Sequence, residues 1–569
     1  MKKTIKLTLL LLLLFTIAGC NKKNKISDNQ NFNTYLDELF IEFLGNDPYD
    51  VNSTLLDPTK YGIEISSVEP YEFNEEADEE YYSSLKEVKN KLLTFKDNVL
   101  SEEQQLSKKI LLDYIDRKLA FEGLYYYGSN LGSYLGYQAQ LPIILAEYRF
   151  DDINDINHYF EYLEITKTNF EGIIQFEKEK IALGMGLTDY IIDKVIDQCE
   201  AFVNAEENYL IPVFNDKIDK LDFLTDLEKE SLKQNNDKLI SEDFVGAYNY
   251  LVSELRTMKG YTAHNGALAN FPEGKKYYEA LFRQATGTNM SVLEAKEYLI
   301  DKANDVRRNI KSNYEILYST DLMQNMDLDE LLPFFKTKMD KDFPSLKIDV
   351  DYNIKEISES MQENSSPAMY FISPIDANVV EAIYINPLNF NELSNYTYQT
   401  LAHEGYPGHL YQNVYLKSSD LPEVRKTLHY VGYSEGWATY VENYVVGYVN
   451  KDALAAFELY DSLTYVYLGL LDIGINYEGW SEQQAYDFVS SIFVGITRNE
   501  SDEMYYDLTE IPTNYLQYYF SYYQVQDLKN SFKEKMGSNY SDKLFHTIYL
   551  ETGPSSFTIL KEQYENYKR

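Results

Sequence analysis

Residues 401–412 read Leu401-Ala402-His403-Glu404-Gly405-Tyr406-Pro407-Gly408-His409-Leu410-Tyr411-Gln412, and they hold two of the six histidines in a chain of 569 residues. A histidine pair with a glutamate directly after the first is the donor set of a zinc hydrolase. Neutral imidazoles ligate the metal, and the carboxylate takes a proton from the attacking water. The spacing departs from the usual four residues, which leaves two side chains about 40° apart on one helical face. An offset of six would put His409 roughly 240° round and about 9 Å along from His403 on an undistorted helix. Pro407-Gly408 interrupts helical hydrogen bonding and frees the backbone to bulge, which would return His409 to the metal. Unrelated histidines at a helix end remain the alternative on spacing alone.

Working outward, the segment Tyr433-Ser434-Glu435-Gly436-Trp437-Ala438-Thr439-Tyr440-Val441-Glu442 follows with helical spacing. Glu435 and Glu442 are seven apart and share a face, about 20° from alignment. One suits a third metal ligand, and the other suits a partner that orients a ligand histidine. Solvated helix-face acids are the alternative, weakened by the aromatic setting. Upstream, Ala368–Ile372 and Val379–Ile385 are rich in aromatic and β-branched residues, bracketed by prolines and Asp376-Ala377-Asn378. They predict a small hairpin before the histidine helix.

Elsewhere apolar residues recur at three and four over Leu106–Leu124, Ile153–Leu183, Asp189–Tyr209, Ser291–Leu317 and Asn514–Lys535. This predicts a mainly α-helical body, one domain over 36–569 that divides at most into two lobes. With 52 Lys+Arg against 91 Asp+Glu, the net charge is −39 and the field repels polyanions, so nucleic-acid binding is excluded as a role.

Lys2, Lys3 and Lys6, the apolar run Leu9–Phe15 and the small residues before Cys20 have the layout of a secretory leader. They resemble a bacterial lipobox, which implies a leader over 1–19, a lipid-modified Cys20 and a polar tether to residue 35. Removing residues 1–19 takes away those three lysines and no acid, moving the charge from −39 to −42. Cys199 is then unpaired and expected as a buried filler.

The segments HEGYPGHLYQ (403–412), EGWATYVE (435–442) and PTNYLQYYFSYYQVQDLK (512–529) resemble the DUF885 family of bacterial proteins, placed near the gluzincin metallopeptidases. Weaker similarity covers most of the chain, including residues 271–288. The resemblance implies zinc held by His403, His409 and Glu435, Glu404 as general base and Glu442 behind the ligands. Helical gluzincins of the angiotensin-converting-enzyme and thimet-oligopeptidase groups imply a deep channel, with substrate backbone paired to a strand. By position that strand is Ala368–Ser373 or Ala382–Asn386. They also imply a late tyrosine that donates to the oxyanion. Tyr518 stands where the family carries its tyrosine, and Tyr522 is four residues on; Asn514, Gln517 and Ser521 depart from the family pattern.

His429 and His546 are candidates for substrate contact, each with a structural role as the alternative. His158 and His264 read as packing residues. Arg425 and Arg498 read as salt-bridge partners before substrate ligands. These features together lead to the expectation of a lipid-anchored, extracytoplasmic zinc peptidase acting on short peptides. The alternatives are a zinc hydrolase of another amide, such as a cell-wall or amino-acid conjugate, and a non-catalytic metal- or peptide-binding lipoprotein.

Overall fold

A computed structural model describes residues 28–568 apart from 206–207, 310–313, 358–361, 363–365 and 391–393. The leader and Cys20 lie outside the described residues. The folded body begins earlier than the expected boundary at Leu36, because Asp28–Leu44 is one helix. Phe32, Leu36, Leu39 and Phe40 continue a single apolar stripe and are all buried, with Phe32 edge-on to Phe95.

The expected helices form as Glu102–Leu119, Ile153–Ala182, Asp189–Val203, Val292–Asn309 with Tyr314–Ser319, and Asn514–Met536. Their starts follow local chemistry. Ser101 and Gln104 cap each other's backbone, and Asp152 and Asp155 do the same at the 30-residue helix.

Buried apolar side chains group into three clusters. The largest joins residues of the first 115 positions to those from Leu268 to Tyr564 and encloses Tyr398, Leu401, Leu410, Trp437, Leu516 and Phe520. A second draws on Leu131 to Met258 together with Val68 and contains Cys199, a free and buried thiol. A third is small and centred on Leu471, Ile475 and Tyr505.

Among the described residues the sheet has three strands, β1 (Tyr352–Glu356), β2 (Ala368–Phe371) and β3 (Glu381–Ile385), in the order β1-β3-β2. β2 and β3 are the predicted hairpin, antiparallel with Tyr370 opposite Ile383. β1 was not anticipated. It runs parallel to β3 with Ile354 opposite Ile383, and the alternation Ile348-Asp349-Val350-Asp351-Tyr352-Asn353-Ile354 that marks it, with Tyr352 and Ile354 half-buried, is a period-2 signal that the sequence reading passed over. β3 is therefore central, with both backbone edges in the ladder. Of the two strands proposed to pair with substrate, Ala382–Asn386 has no free edge over its strand residues; among the described residues β2 has no strand on its outer side.

Candidate metal centre

The first histidine ends a helix and the second begins one. Ser394 caps the Asn395–Glu404 helix by accepting from Thr397 N. Helical bonding continues to Gly405 N, which donates to Leu401 O at 3.0 Å. The chain then leaves the helix through Gly405, a cis Tyr406–Pro407 peptide and Gly408, and helix resumes over His409–Lys417. Tyr411 N donates to Gly405 O at 3.2 Å, a bond spanning six residues where a regular helix spans four. Two extra residues are thus looped out, and an i, i+6 pair takes up the relation of an i, i+4 pair. Only glycine fits the loop's end, since a Cβ on Gly408 would lie 1.8 Å from His403 O.

Two aromatic and glycine contacts lock the neighbouring helices. Trp437, fully buried on the Val431–Tyr444 helix, donates from Nε1 to Pro407 O at 2.9 Å and holds the loop. Gly436 on the same helix lets the Asn514–Met536 helix approach, for a Cβ there would be 2.8 Å from that of Ser521. The family-divergent Ser521 sits at this crossing, where a small residue is required.

These elements bring His403, His409 and Glu435 together, with one ligand atom from each within 4.8 Å of the others. The imidazole rings are 4.7 Å apart at 83°. Glu435 Oε2 lies 3.4 Å from the Nε2 of each histidine and is buried without a hydrogen-bond donor. Glu442 bonds the other nitrogen of His403, Nδ1, so Nε2 faces the centre. Glu404 is anchored at one oxygen: Tyr370 N, on the outer edge of β2, donates to Oε2 at 2.7 Å. Its Oε1 turns inward, 4.0 Å from His403 Nε2. The Tyr518 ring lies 6.3 Å from that of His403.

The charges are mutually dependent. Burial opposes a charged His403, but Glu442, Glu435 and Glu404 outweigh it and hold the imidazole pKa well above its ordinary value. Burial likewise opposes a charged Glu435, and the facing His409 and His403 win, keeping its pKa far below the usual range. Two imidazoles facing one buried carboxylate are a suitable donor set for a divalent metal.

Other predicted residues lie elsewhere. Tyr522 is buried at 2% exposure, accepts from Gln526 Nε2 at 3.1 Å and packs edge-on against Tyr465. His546 is fully buried behind the Val431–Tyr444 helix, with Nε2 on Tyr440 OH at 2.9 Å and Nδ1 on Asp342 O at 2.6 Å. Its burial pushes the imidazole pKa down to about 3, so it packs neutral. His429 is exposed on the turn before the glutamate helix, outside the ligand cluster. His264 accepts Gly266 N and packs on Phe271, and His158 sits on the Ile153–Ala182 helix. Arg498 pairs with Asp502 as expected. Arg425 does not follow the salt-bridge reading: it is fully buried and donates to Thr552 O and Ser107 Oγ.

Sequence reasoning missed Tyr465, whose hydroxyl donates to Glu442 Oε2 at 3.5 Å, and the anchoring Tyr370 N–H. Tyr465 is one of 54 tyrosines, and a backbone donor leaves no mark in sequence.

A family model described as "Bacterial protein of unknown function (DUF885)" matches residues 59–563. Among solved structures, a candidate lipoprotein of Colwellia psychrerythraea is similar at TM-score 0.80 and 18% identity, covering 95% of this chain and 99% of its own. A candidate lipoprotein of unknown function from Shewanella oneidensis is similar at 0.61 and 16%, covering 94% and 99%. These likenesses show a shared fold. A candidate oligoendopeptidase F of Bacillus anthracis matches at only 0.30 and 12%, covering 85% and 92%, a likeness without weight for this chain. Comparison with curated proteins returns no match.

Proposed function

This chain belongs to the DUF885 family, and from its centre we propose that it is a zinc-dependent, gluzincin-like peptidase acting on short peptides outside the cell membrane. The observation that carries the reading is Glu435 Oε2, a buried acceptor without a donor, 3.4 Å from two imidazole nitrogens. Tetrahedral zinc with bonds of ~2.0–2.1 Å places its ligand atoms roughly 3.3 Å apart, which the two imidazole–carboxylate separations of 3.4 Å match.

His403, His409 and Glu435 would hold the metal, and Glu442 fixes the His403 tautomer by accepting at Nδ1. Zinc, when bound, supplies Lewis acidity toward the scissile carbonyl and the attacking water. Glu404 Oε1 faces the centre while Oε2 is tied to Tyr370 N. It is the general base that takes the water's proton and returns it to the leaving amine. Tyr518 stays a phenol, because the Glu435 charge and then burial hold its pKa well above the ordinary value. A neutral hydroxyl there donates to the developing oxyanion.

Peptide is favoured over other amides by β2, which runs beside Glu404 and, apart from the Tyr370 N–H that Glu404 accepts, leaves the rest of its outer edge for an extended backbone to pair with. The lipobox at Cys20 supports a lipid anchor, as do the lipoprotein descriptions of the two similar structures. No helix among the described residues is long and apolar enough to cross a membrane.

The test is digestion of a peptide library read by mass spectrometry, with and without chelator, for wild type and Glu404→Gln. Chelator-sensitive cleavage by wild type, lost in Glu404→Gln with zinc retained, is expected. Purified protein that holds no zinc through these residues, or cleavage indifferent to chelator, would overturn the reading. Fatty-acid labelling that survives Cys20→Ala would remove the anchor.

A further inference from the structure

The Glu404 carboxylate is held by a backbone N–H, so its position depends on what holds β2. One long edge of β2 is in the ladder with β3. The other has no strand partner among the described residues, and there Tyr370 N meets Glu404. An edge strand of four residues is weakly constrained by its ladder alone.

A buried polar knot supplies the missing constraint. The Tyr370 hydroxyl donates to Glu381 Oε2 at 2.6 Å. Ser373 Oγ, just past β2, donates to Glu381 Oε1 at 3.0 Å. Lys417 Nζ donates to the same Oε1 and, at 2.8 Å, to Ser373 Oγ. The Lys417 and Glu381 side chains are 5% and 0% exposed. Burial and the Glu381 charge keep the Tyr370 phenol protonated, so it remains a donor.

Lys417 is the last residue of the helix that His409 begins, and Glu381 is the first residue of β3. The knot therefore ties the helix bearing one ligand histidine to the strand that anchors the base. A buried ion pair gives little net stability, because desolvation offsets its attraction, but breaking one half is costly and the geometry is specific.

We propose that Tyr370, Glu381 and Lys417 are positioning residues that set the Glu404 carboxylate against the metal centre by fixing the edge strand to the His409 helix. The proposal deepens the peptidase reading and rests on it for its kinetic consequence, though not for its structural one. With Oε2 tied, a single oxygen, Oε1, is directed inward. A loosened β2 lets the carboxylate rotate, and misplacement of order 1 Å costs on the order of 10²-fold in rate.

The experiment uses the full chain loaded with zinc and two variants. Tyr370→Phe removes only the hydroxyl. The double variant Glu381→Gln/Lys417→Met removes both charges together, so neither is left buried and alone, and it keeps the test open if a single charge deletion fails to fold. Residue-resolved hydrogen exchange reads the Tyr370 amide. It is expected to exchange at least about tenfold faster in both variants while β3 amides keep their rates, a pattern that global destabilisation does not give. In peptide hydrolysis kcat is expected to fall about 10- to 100-fold, with KM within about twofold and zinc stoichiometry unchanged. Wild-type exchange at Tyr370 in both variants would overturn the proposal, as would wild-type kcat in both. If wild type cleaves no peptide, the peptidase reading falls, and the Tyr370 exchange rate still decides whether the knot positions Glu404.

Discussion

Replacing Gly408 by alanine tests the looped-out helix on which the candidate metal centre depends. The new Cβ would stand 1.8 Å from His403 O and 2.3 Å from Ala402 O. Real Cβ contacts do not fall below 3.0 Å, so the backbone must yield by about 1.2 Å, the difference between 3.0 and 1.8. The clashing atoms are backbone on the turn that carries His403, and no side chain can swing away to relieve them. Relief therefore moves one ligand histidine relative to the other. Disturbing what orients a metal ligand costs about 10- to 100-fold in affinity, and a shift of this size belongs at the upper end, ~2.7 kcal/mol. Forcing the extra carbon into a packed site costs the fold a further ~1–3 kcal/mol. Zinc affinity, read by competition with a chromophoric chelator, is expected to fall about 100-fold, and the denaturant midpoint to drop. Gly246→Ala is the control, since nothing lies within 4 Å of its Cβ position and its backbone is outside the left-handed region. That helical substitution stabilises by about 0.5–1 kcal/mol. A Gly408→Ala protein with wild-type zinc affinity and midpoint would refute the account of how histidines six apart converge.

Three further outcomes are expected. Glu442→Gln keeps the three ligands but replaces the carboxylate that orients His403, so zinc affinity falls about 10- to 100-fold in chelator competition. Tyr518→Phe keeps the ring beside His403 and loses the donor; kcat for a cleaved peptide falls about 10²- to 10³-fold with zinc content unchanged. Asp472, buried and accepting from Tyr278 OH, Asn476 Nδ2 and Thr513 N, has its carboxyl pushed up to about 7 by burial. Between about pH 4 and 7 the folded chain keeps a proton that the unfolded chain has released, so this group's contribution to stability falls as pH rises. Unfolding curves at pH 5 and 7 should show that fall reduced in Asp472→Asn, by on the order of 1 kcal/mol per pH unit.

Much of this was legible because it is local. Periodicity carried the long helices, aromatic and β-branched runs between prolines carried β2 and β3, and the Pro407-Gly408 break pointed to the geometry that rescues an offset of six. Glu435 and Glu442 were legible as a pair because seven residues return to one helical face, and the structure places Glu435 against His403 and His409 and Glu442 behind His403. Tyr522 failed for a rotational reason. Four residues beyond Tyr518, it turns toward Tyr465 and Gln526, in a helix flanked by neighbours on more than one side. His546 failed because a histidine near a glycine-proline turn serves a site or a core equally well in sequence. Only contact with Tyr440 and the Asp342 carbonyl decides between them. The Glu381–Lys417 pair spans 36 residues, and no local pattern marks a partnership made by tertiary packing.

The place of His546 has a bearing on when the centre can come into being. The candidate ligands and base lie between His403 and Glu435, yet the wall behind the Glu435 helix arrives with the Asp542–Thr552 helix. There His546 stacks on Phe343 at 4.0 Å, and Tyr549 stacks on both Tyr433 and Trp437. A growing chain that has delivered every ligand still leaves Trp437 bare on that flank until some hundred residues more have been made. The order of synthesis thus delays this wall until residues 542–552 have been made, and a product cut short before residue 542 would carry the candidate site without the packing of His546 and Tyr549 behind it.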